Sequence, residues 1–238
     1  GLPESPIILN VQWSPNGEFI GVLLEMEKKV EVWLVSVSSY KAKKLNNLPV
    51  HAGMNQMLAW TSDSQSFWVK TVPDDLGPVP TIKMGRSSAV VRETTGEPIP
   101  AQTHQGLLRT QFDVDQFEYL FSSRLTNISL DGSHKMVGDP GIYRYFRESP
   151  DQRYLLVERL VKPWSYFVNA DQFAYDIEVW DLETHQIKRI ASSPLAEQLP
   201  YSGGIVRLGA REFQWRSDRP STVVWVEALD GGDPYESS

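Results

Sequence analysis

The 238-residue chain has no cysteine, only four histidines and no long apolar run. Without cysteine there is no disulfide framework, no thiol nucleophile and no thiolate metal site. His51, His104, His134 and His185 fall in stretches that read as turns or loops, so each is expected to be a solvated surface side chain. They form no His-x-x-x-His pair, which argues against zinc. No stretch approaches the roughly 20 apolar residues of a membrane-spanning helix. The opening Gly1-Leu2-Pro3-Glu4-Ser5-Pro6 lacks the basic and apolar regions of a signal peptide. Positive charge is also short. A formal net charge of −7 is the wrong sign for a surface that binds phosphates or acidic lipids. Nucleic acid and membrane are therefore not expected partners, and no cofactor is expected.

What the chain does have is aromatic residues, with eight Trp, nine Tyr and nine Phe, side chains that suit a pleated surface. The stretch 148–190 shows how they are used. The turn Ser149-Pro150-Asp151-Gln152 leads to an apolar strand, Tyr154-Leu155-Leu156-Val157. After a longer connection come an alternating strand, Ile177-Glu178-Val179-Trp180, a turn at 181–185 and a last strand at 186–190. Such a meander has bare edges and needs a stacked neighbour. The chain encodes several. A turn followed by an apolar strand begins at Ser14, Ser62, Ser149 and Ser217, preceded at three of the four by Trp13, Trp60 or Trp215.

Four-stranded repeats of roughly 40–50 residues are the signature of a β-propeller. The expected fold is all-β, a partial β-propeller of about three four-stranded blades plus the start of another, with a short helical insertion. The blades are placed at 7–50, at 57–138 with an insertion at 73–119, and at 143–191, with 205–238 opening the next. Prolines at 73, 78, 80, 98 and 100 mark the insertion as a long loop, with short strands near 81–84 and 89–91. One or two helical turns are expected between Thr103 and Tyr119. Trp13, Trp33, Trp60, Trp68, Trp180, Trp215 and Trp225 are assigned to packing between blades. The chain is too short for a full ring, so its open edges are expected to invite self-association or a companion carrying more blades.

Several segments resemble the propeller of the glutamyl endopeptidases, a branch of the prolyl oligopeptidase superfamily. They begin with Phe117-Glu118-Tyr119, Ser123, Leu125, Ser129-Leu130-Asp131-Gly132, Lys135, Val137-Gly138 and Pro140. Ser149-Pro150-Asp151, Tyr154-Leu155-Leu156 and Pro163-Trp164-Ser165-Tyr166 continue the likeness. It is strongest at Pro194-Leu195-Ala196-Glu197, Val206-Arg207, Gly209 and the run PSTVVWVEALDGGD at 220–233. The resemblance implies a non-catalytic cap on a serine peptidase. It would restrict peptide entry to a C-terminal α/β-hydrolase domain of the same gene, which would carry the Ser, Asp and His. The alternatives are a stand-alone propeller that binds proteins or peptides, and a glycosidase-like enzyme built on paired carboxylates.

Within the chain itself no catalytic group is expected. Gly85-Arg86-Ser87-Ser88-Ala89 comes nearest to a nucleophile elbow but lacks the second glycine and a following helix. Asp113-Val114-Asp115 and Asp230-Gly231-Gly232-Asp233 are too short of ligands for a calcium loop, and the second reads as a hairpin turn. Asn127-Ile128-Ser129 matches a glycosylation acceptor but lies in an expected strand. One segment combines cations with aromatics at a propeller rim. If the parent cleaves after glutamate, Arg159 and Lys162 are the candidates to meet the substrate carboxylate. Trp164 and Tyr166 would form the walls, and Arg144 and Arg147 are second choices. The competing reading packs Trp164 and Tyr166 between blades and leaves the cations in solvent.

Overall fold

The computed structural model describes residues 1–82, 106–197, 206–229 and 232. Strands β1 (Ile7–Trp13), β2 (Phe19–Glu25), β3 (Val30–Ser36) and β4 (Ala42–Lys44) form one antiparallel sheet in chain order. A second, seven-stranded sheet keeps chain order too. It contains β5 (Leu58–Trp60), β6 (Ser66–Thr71), β7 (Ser123–Ser129), β8 (His134–Glu148), β9 (Tyr154–Leu160), β10 (Tyr175–Asp181) and β11 (Ile187–Ser193). Strands β12 (Arg211–Trp215) and β13 (Val223–Val226) pair by themselves. The helix α1 (Gln111–Phe121) lies between β6 and β7. The molecule is a partial β-propeller.

Strand β8 joins two blades. Its first half pairs with β7, as in Leu125↔Val137, and its second half pairs with β9 from Ile142↔Leu160 to Glu148↔Leu155. Gly138, Pro140 and Gly141 lie inside the strand, where it passes from one blade to the next.

Three separate cores lie between successive layers. Leu23, Val32, Leu34, Leu58, Phe67 and Ile128 fill the space between the first and second blades. Trp68, Leu125, Tyr143, Phe146, Leu155, Val157 and Trp180 fill the next. On the far side of β9, Leu156, Leu160 and Ile177 meet Phe117 of α1 and Trp215 of β12. Alternate residues of β9 thus enter different cores, which is why it reads as a continuous apolar run.

One turn circuit recurs at the head of three blades. Ser14 Oγ, Thr61 Oγ1 and Ser149 Oγ each accept the backbone N–H five residues on, from Phe19, Ser66 and Tyr154, at 3.0, 3.2 and 3.0 Å. Each hydroxyl also donates to the Oδ1 two residues on, of Asn16, Asp63 or Asp151. That oxygen accepts a further backbone N–H from Glu18, Gln65 or Arg153. The register is therefore Ser14, Thr61, Ser149 and Arg216, where backbone Arg216 N–H donates to Thr222 O. Ser62 and Ser217 stand one residue too late. The preceding tryptophans reach across to the neighbouring blade, with Trp60 Nε1 donating to Gln12 O at 3.1 Å and Trp215 Nε1 to Arg147 O at 2.8 Å.

Other expectations need correction. Trp13 and Trp225 are 60% and 53% exposed, because the sheets carrying them have no neighbour on that side among the described residues. His51 is buried, not solvated. Its Nε2 lies 2.6 Å from Leu120 O, and burial pushes its pKa below the ordinary value. Helix α1 has 11 residues, longer than expected, and starts on a capping box in which Thr110 and Asp113 satisfy each other's backbone N–H. Asp113 is thereby a cap. Thr81 and Ile82 are not in a strand. Residues 83–91, His104, Asp230-Gly231 and Asp233 lie outside the described residues.

Candidate functional site

In an antiparallel meander successive connections alternate between the two ends of the strands. The Ser/Thr turns occupy one face of the ring. The β6–β7 connection, which carries α1, and the β9–β10 connection at 161–174 therefore emerge on the other. Contacts between them build a single structure on that face.

Glu118 of α1 is its hinge point. Its Oε1 accepts from Lys162 Nζ and from Trp164 Nε1, each at 2.6 Å. Trp164 stacks on Phe173 with centroids 5.5 Å apart, and Phe117 meets both rings edge-on at 5.3 and 5.6 Å. Ser165 Oγ donates to Glu197 Oε1 at 2.5 Å and accepts from Phe167 N–H. Trp164 is thus fixed as a packing group. The Lys162 side chain remains 67% exposed, and Tyr166 is half-buried.

Arg159 lies one strand deeper. Its Nη2 donates to Glu178 Oε1 at 2.6 Å, and Glu178 Oε2 accepts from Trp180 Nε1 at 2.9 Å. Arg159 and Lys162 are therefore paired with different carboxylates, on β10 and α1, and are not held together as a clamp.

The second-choice arginines separate. Arg144 is buried, and its Nε donates to Glu158 Oε1 at 2.6 Å while its guanidinium lies 4.9 Å from the Tyr175 ring centroid. Arg207 covers the same ring at 5.3 Å and donates to the carbonyls of Asp171, Phe173 and Pro194. Arg144 and Glu158 line a cleft of about 340 Å³ with Gln56, Tyr145, Glu212 and Phe213. Arg147 is exposed and contributes its carbonyl to Trp215.

No family model matches the chain. Over 243 residues it is 31% identical to a probable chloroplastic glutamyl endopeptidase of Oryza sativa subsp. japonica, covering 98% of this chain and 26% of that protein. The corresponding protein of Arabidopsis thaliana is 33% identical over 242 residues, covering 98% of this chain and 25% of that one. The chain is glutamyl endopeptidase-like. It spans about a quarter of the length of the curated relatives it matches. Among solved structures the tricorn protease matches 95% of this chain and 21% of its own, with a TM-score of 0.51 and 12% identity, a likeness of fold alone.

In this glutamyl endopeptidase-like chain the residues that organise the rim were not all visible beforehand. Glu118 and Phe117 lie in the stretch expected to be helical and in a segment of family likeness, but nothing local links them to Trp164. Replacing Glu118 with alanine strands the Trp164 N–H and frees Lys162. The expected cost is about 1 kcal/mol, with faster proteolytic nicking within 161–174. Lys162→Met removes only a surface ion pair and should cost less than about 0.5 kcal/mol. Thermal unfolding and limited proteolysis of the two variants check the difference.

Proposed function

We propose that this chain is the N-terminal propeller of a serine peptidase of the prolyl oligopeptidase type, a non-catalytic cap that limits entry to a C-terminal α/β-hydrolase domain. The observation carrying this reading is identity of 31–33% to glutamyl endopeptidases over 98% of the chain. Within the cap we take 7–50, 57–138 and 143–191 as successive blades and 205–238 as the opening of another.

The face bearing α1 and 161–174 is the natural place for contact with entering peptides, because its connections are long and carry exposed polar and aromatic groups. On it Lys162 and Tyr166 are the contact residues in this proposal. Trp164 positions Lys162 through their shared acceptor Glu118, and Arg159 supports the strand below through Glu178. A peptide glutamate would compete with Glu118 for the Lys162 ammonium.

Two measurements on the full-length gene product test this. A fluorophosphonate probe should label a serine outside these 238 residues, and short glutamyl peptides should be cleaved at least about 100-fold faster than the same sequence within a folded protein. Failure to label would favour a stand-alone peptide-binding propeller. Removing the charge from both Arg159 and Lys162 should lower kcat/KM for glutamyl peptides. Unchanged kcat/KM would reduce these residues to structural roles.

A further inference from the structure

We propose that the seam between the first and second blades carries a binding site for a small carboxylate with an apolar body. It is seated in the cleft beside Phe19, Leu34 and Leu130, under the ammonium groups of Lys41 and Lys43.

The pairing of β2, β3 and β4 decides which side chains meet here. Phe19 pairs with Ser36, Gly21 with Leu34 and Leu34 with Lys43, while Ser36 N–H donates to Lys41 O. Paired residues share a face of a sheet, so Phe19, Leu34, Lys41 and Lys43 are all on the face toward the second blade. Leu34 is buried in the core the two blades share, and Phe19 and Leu130 pack against that core. Leu130 arrives from the second blade, at the start of the β7–β8 turn. Its N–H donates to Gln65 O, and its carbonyl accepts from Lys43 Nζ at 2.8 Å. Gly132 of the same turn lies so close to the first blade that a Cβ there would collide with Leu45 O. The turn thus rests on the first blade at Gly132, and a cleft of about 450 Å³ remains beside Leu130. That volume lies within the range of about 300–1,000 Å³ common to small-ligand sites.

The chemistry of the lining selects the ligand. Phe19, Ala42 and Leu130 are half-buried and supply apolar wall, whereas Lys41 and Lys43 are exposed at its edge. Lysine stems lie along apolar surface while their charged heads stay in water. Neither ammonium is in a salt bridge among the described residues. Asp131 is close enough to Lys43 to feel its charge, but Asp131 Oδ1 is occupied by the Ser133 N–H at 2.8 Å and hydroxyl at 2.6 Å. Two cations against one anion leave a single positive charge in excess, in a chain whose formal net charge is −7. A monocarboxylate on an apolar body answers both the charge and the wall. Inorganic phosphate has nothing to place against Phe19 and Leu130, and an amine meets the wrong charge. Because the walls come from both blades, an occupant also ties the first blade to the second.

The test uses the full-length gene product, with 4-(4-fluorophenyl)butanoate as the probe and the matching alcohol as its uncharged counterpart. Lysines are acetylated with and without each compound, and the rate at each site is read by peptide mass mapping. With the probe at about four times its Kd, acetylation of Lys41 and Lys43 should slow about fivefold. Lys28, in the β2–β3 turn at the other end of these strands, should react at an unchanged rate. The alcohol should protect none of the three. Fluorine line broadening gives the Kd itself. Lys41→Met together with Lys43→Met should raise it about tenfold, and Lys41→Arg with Lys43→Arg, which keeps both charges, should hold it within about twofold. Equal protection by the alcohol, or equal protection of Lys28, overturns the proposal. So does slow acetylation of Lys41 and Lys43 before any probe is added, which would mean that another segment of the same polypeptide fills the cleft. None of these readings depends on peptidase activity, so this result and the fluorophosphonate result stand or fall separately.

Discussion

Lys70→Met is expected to lower the unfolding free energy by about 3 kcal/mol, read as a fall in the urea midpoint at unchanged slope. Lys70 is fully buried in β6 and has no carboxylate partner among the described residues. Its ammonium donates to the carbonyls of Gly53, Met54 and Tyr143, the last at 3.2 Å, and so joins the 51–57 connection to the inner strand of the third blade. Methionine fills similar space but takes the ammonium donor away from three carbonyls. Each unsatisfied buried group costs about 1–3 kcal/mol, partly offset because the charge no longer has to be desolvated.

The same burial gives Lys70 a pH signature. It pushes the ammonium pKa from the ordinary 10.5 down to about 7. Between those two values the unfolded chain holds a proton that the folded chain has released, so the Lys70 contribution to stability rises with pH across this window. Below about pH 7 both states are protonated and the burial penalty is complete. Glu148 contributes the opposite slope at lower pH. Burial raises its carboxyl from 4.5 to about 7, so the folded chain holds the extra proton and stability falls as pH rises from 4.5 to 7. Urea midpoints for the parent chain should therefore pass through a shallow minimum near neutral pH. Lys70→Met should remove the rise on the alkaline side and leave the acid side unchanged.

The local devices of the fold were legible in the sequence, and the long-range ones were not. Turn, apolar strand and alternating strand could be read because each needs only neighbouring residues. The turn register slipped by one at Ser62 and Ser217 because the hydroxyl of Thr61 does the work of Ser14, while at the fourth turn Arg216 has none to offer. One blade was expected to end at 138 and the next to start at 143, yet a single strand, β8, runs through both because its two halves pair with different strands. Trp13 and Trp60 share a pattern, and their exposures differ only because one has a neighbouring blade among the described residues. At the rim, Arg159 and Lys162 stood out as a cationic pair, but their partners Glu178 and Glu118 come from a later strand and a preceding helix. Lys70 gave no signal at all, since backbone carbonyls leave no trace in a sequence.

Gly138→Ala should be strongly destabilising, because two separate costs fall on one atom. Gly138 has φ +67, in the left-handed region where a Cβ costs about 1 kcal/mol. That Cβ would also lie 2.4 Å from Trp180 Cη2 and 2.5 Å from Cζ3. The indole has little room to yield. Trp180 is buried, its Nε1 is held by Glu178, and it packs edge-on against Tyr143 at 5.7 Å. Overpacking of this kind costs about 1–3 kcal/mol, so the total should reach about 3 kcal/mol. Gly17→Ala supplies the control, since Gly17 has φ +72 but open space around the added methyl, and it should cost only about 1 kcal/mol. Denaturant midpoints measure the difference, and near-UV circular dichroism should change for Gly138→Ala alone. If the two variants prove equally stable, Trp180 moves freely and the seam between the second and third blades is not the rigid wedge drawn here.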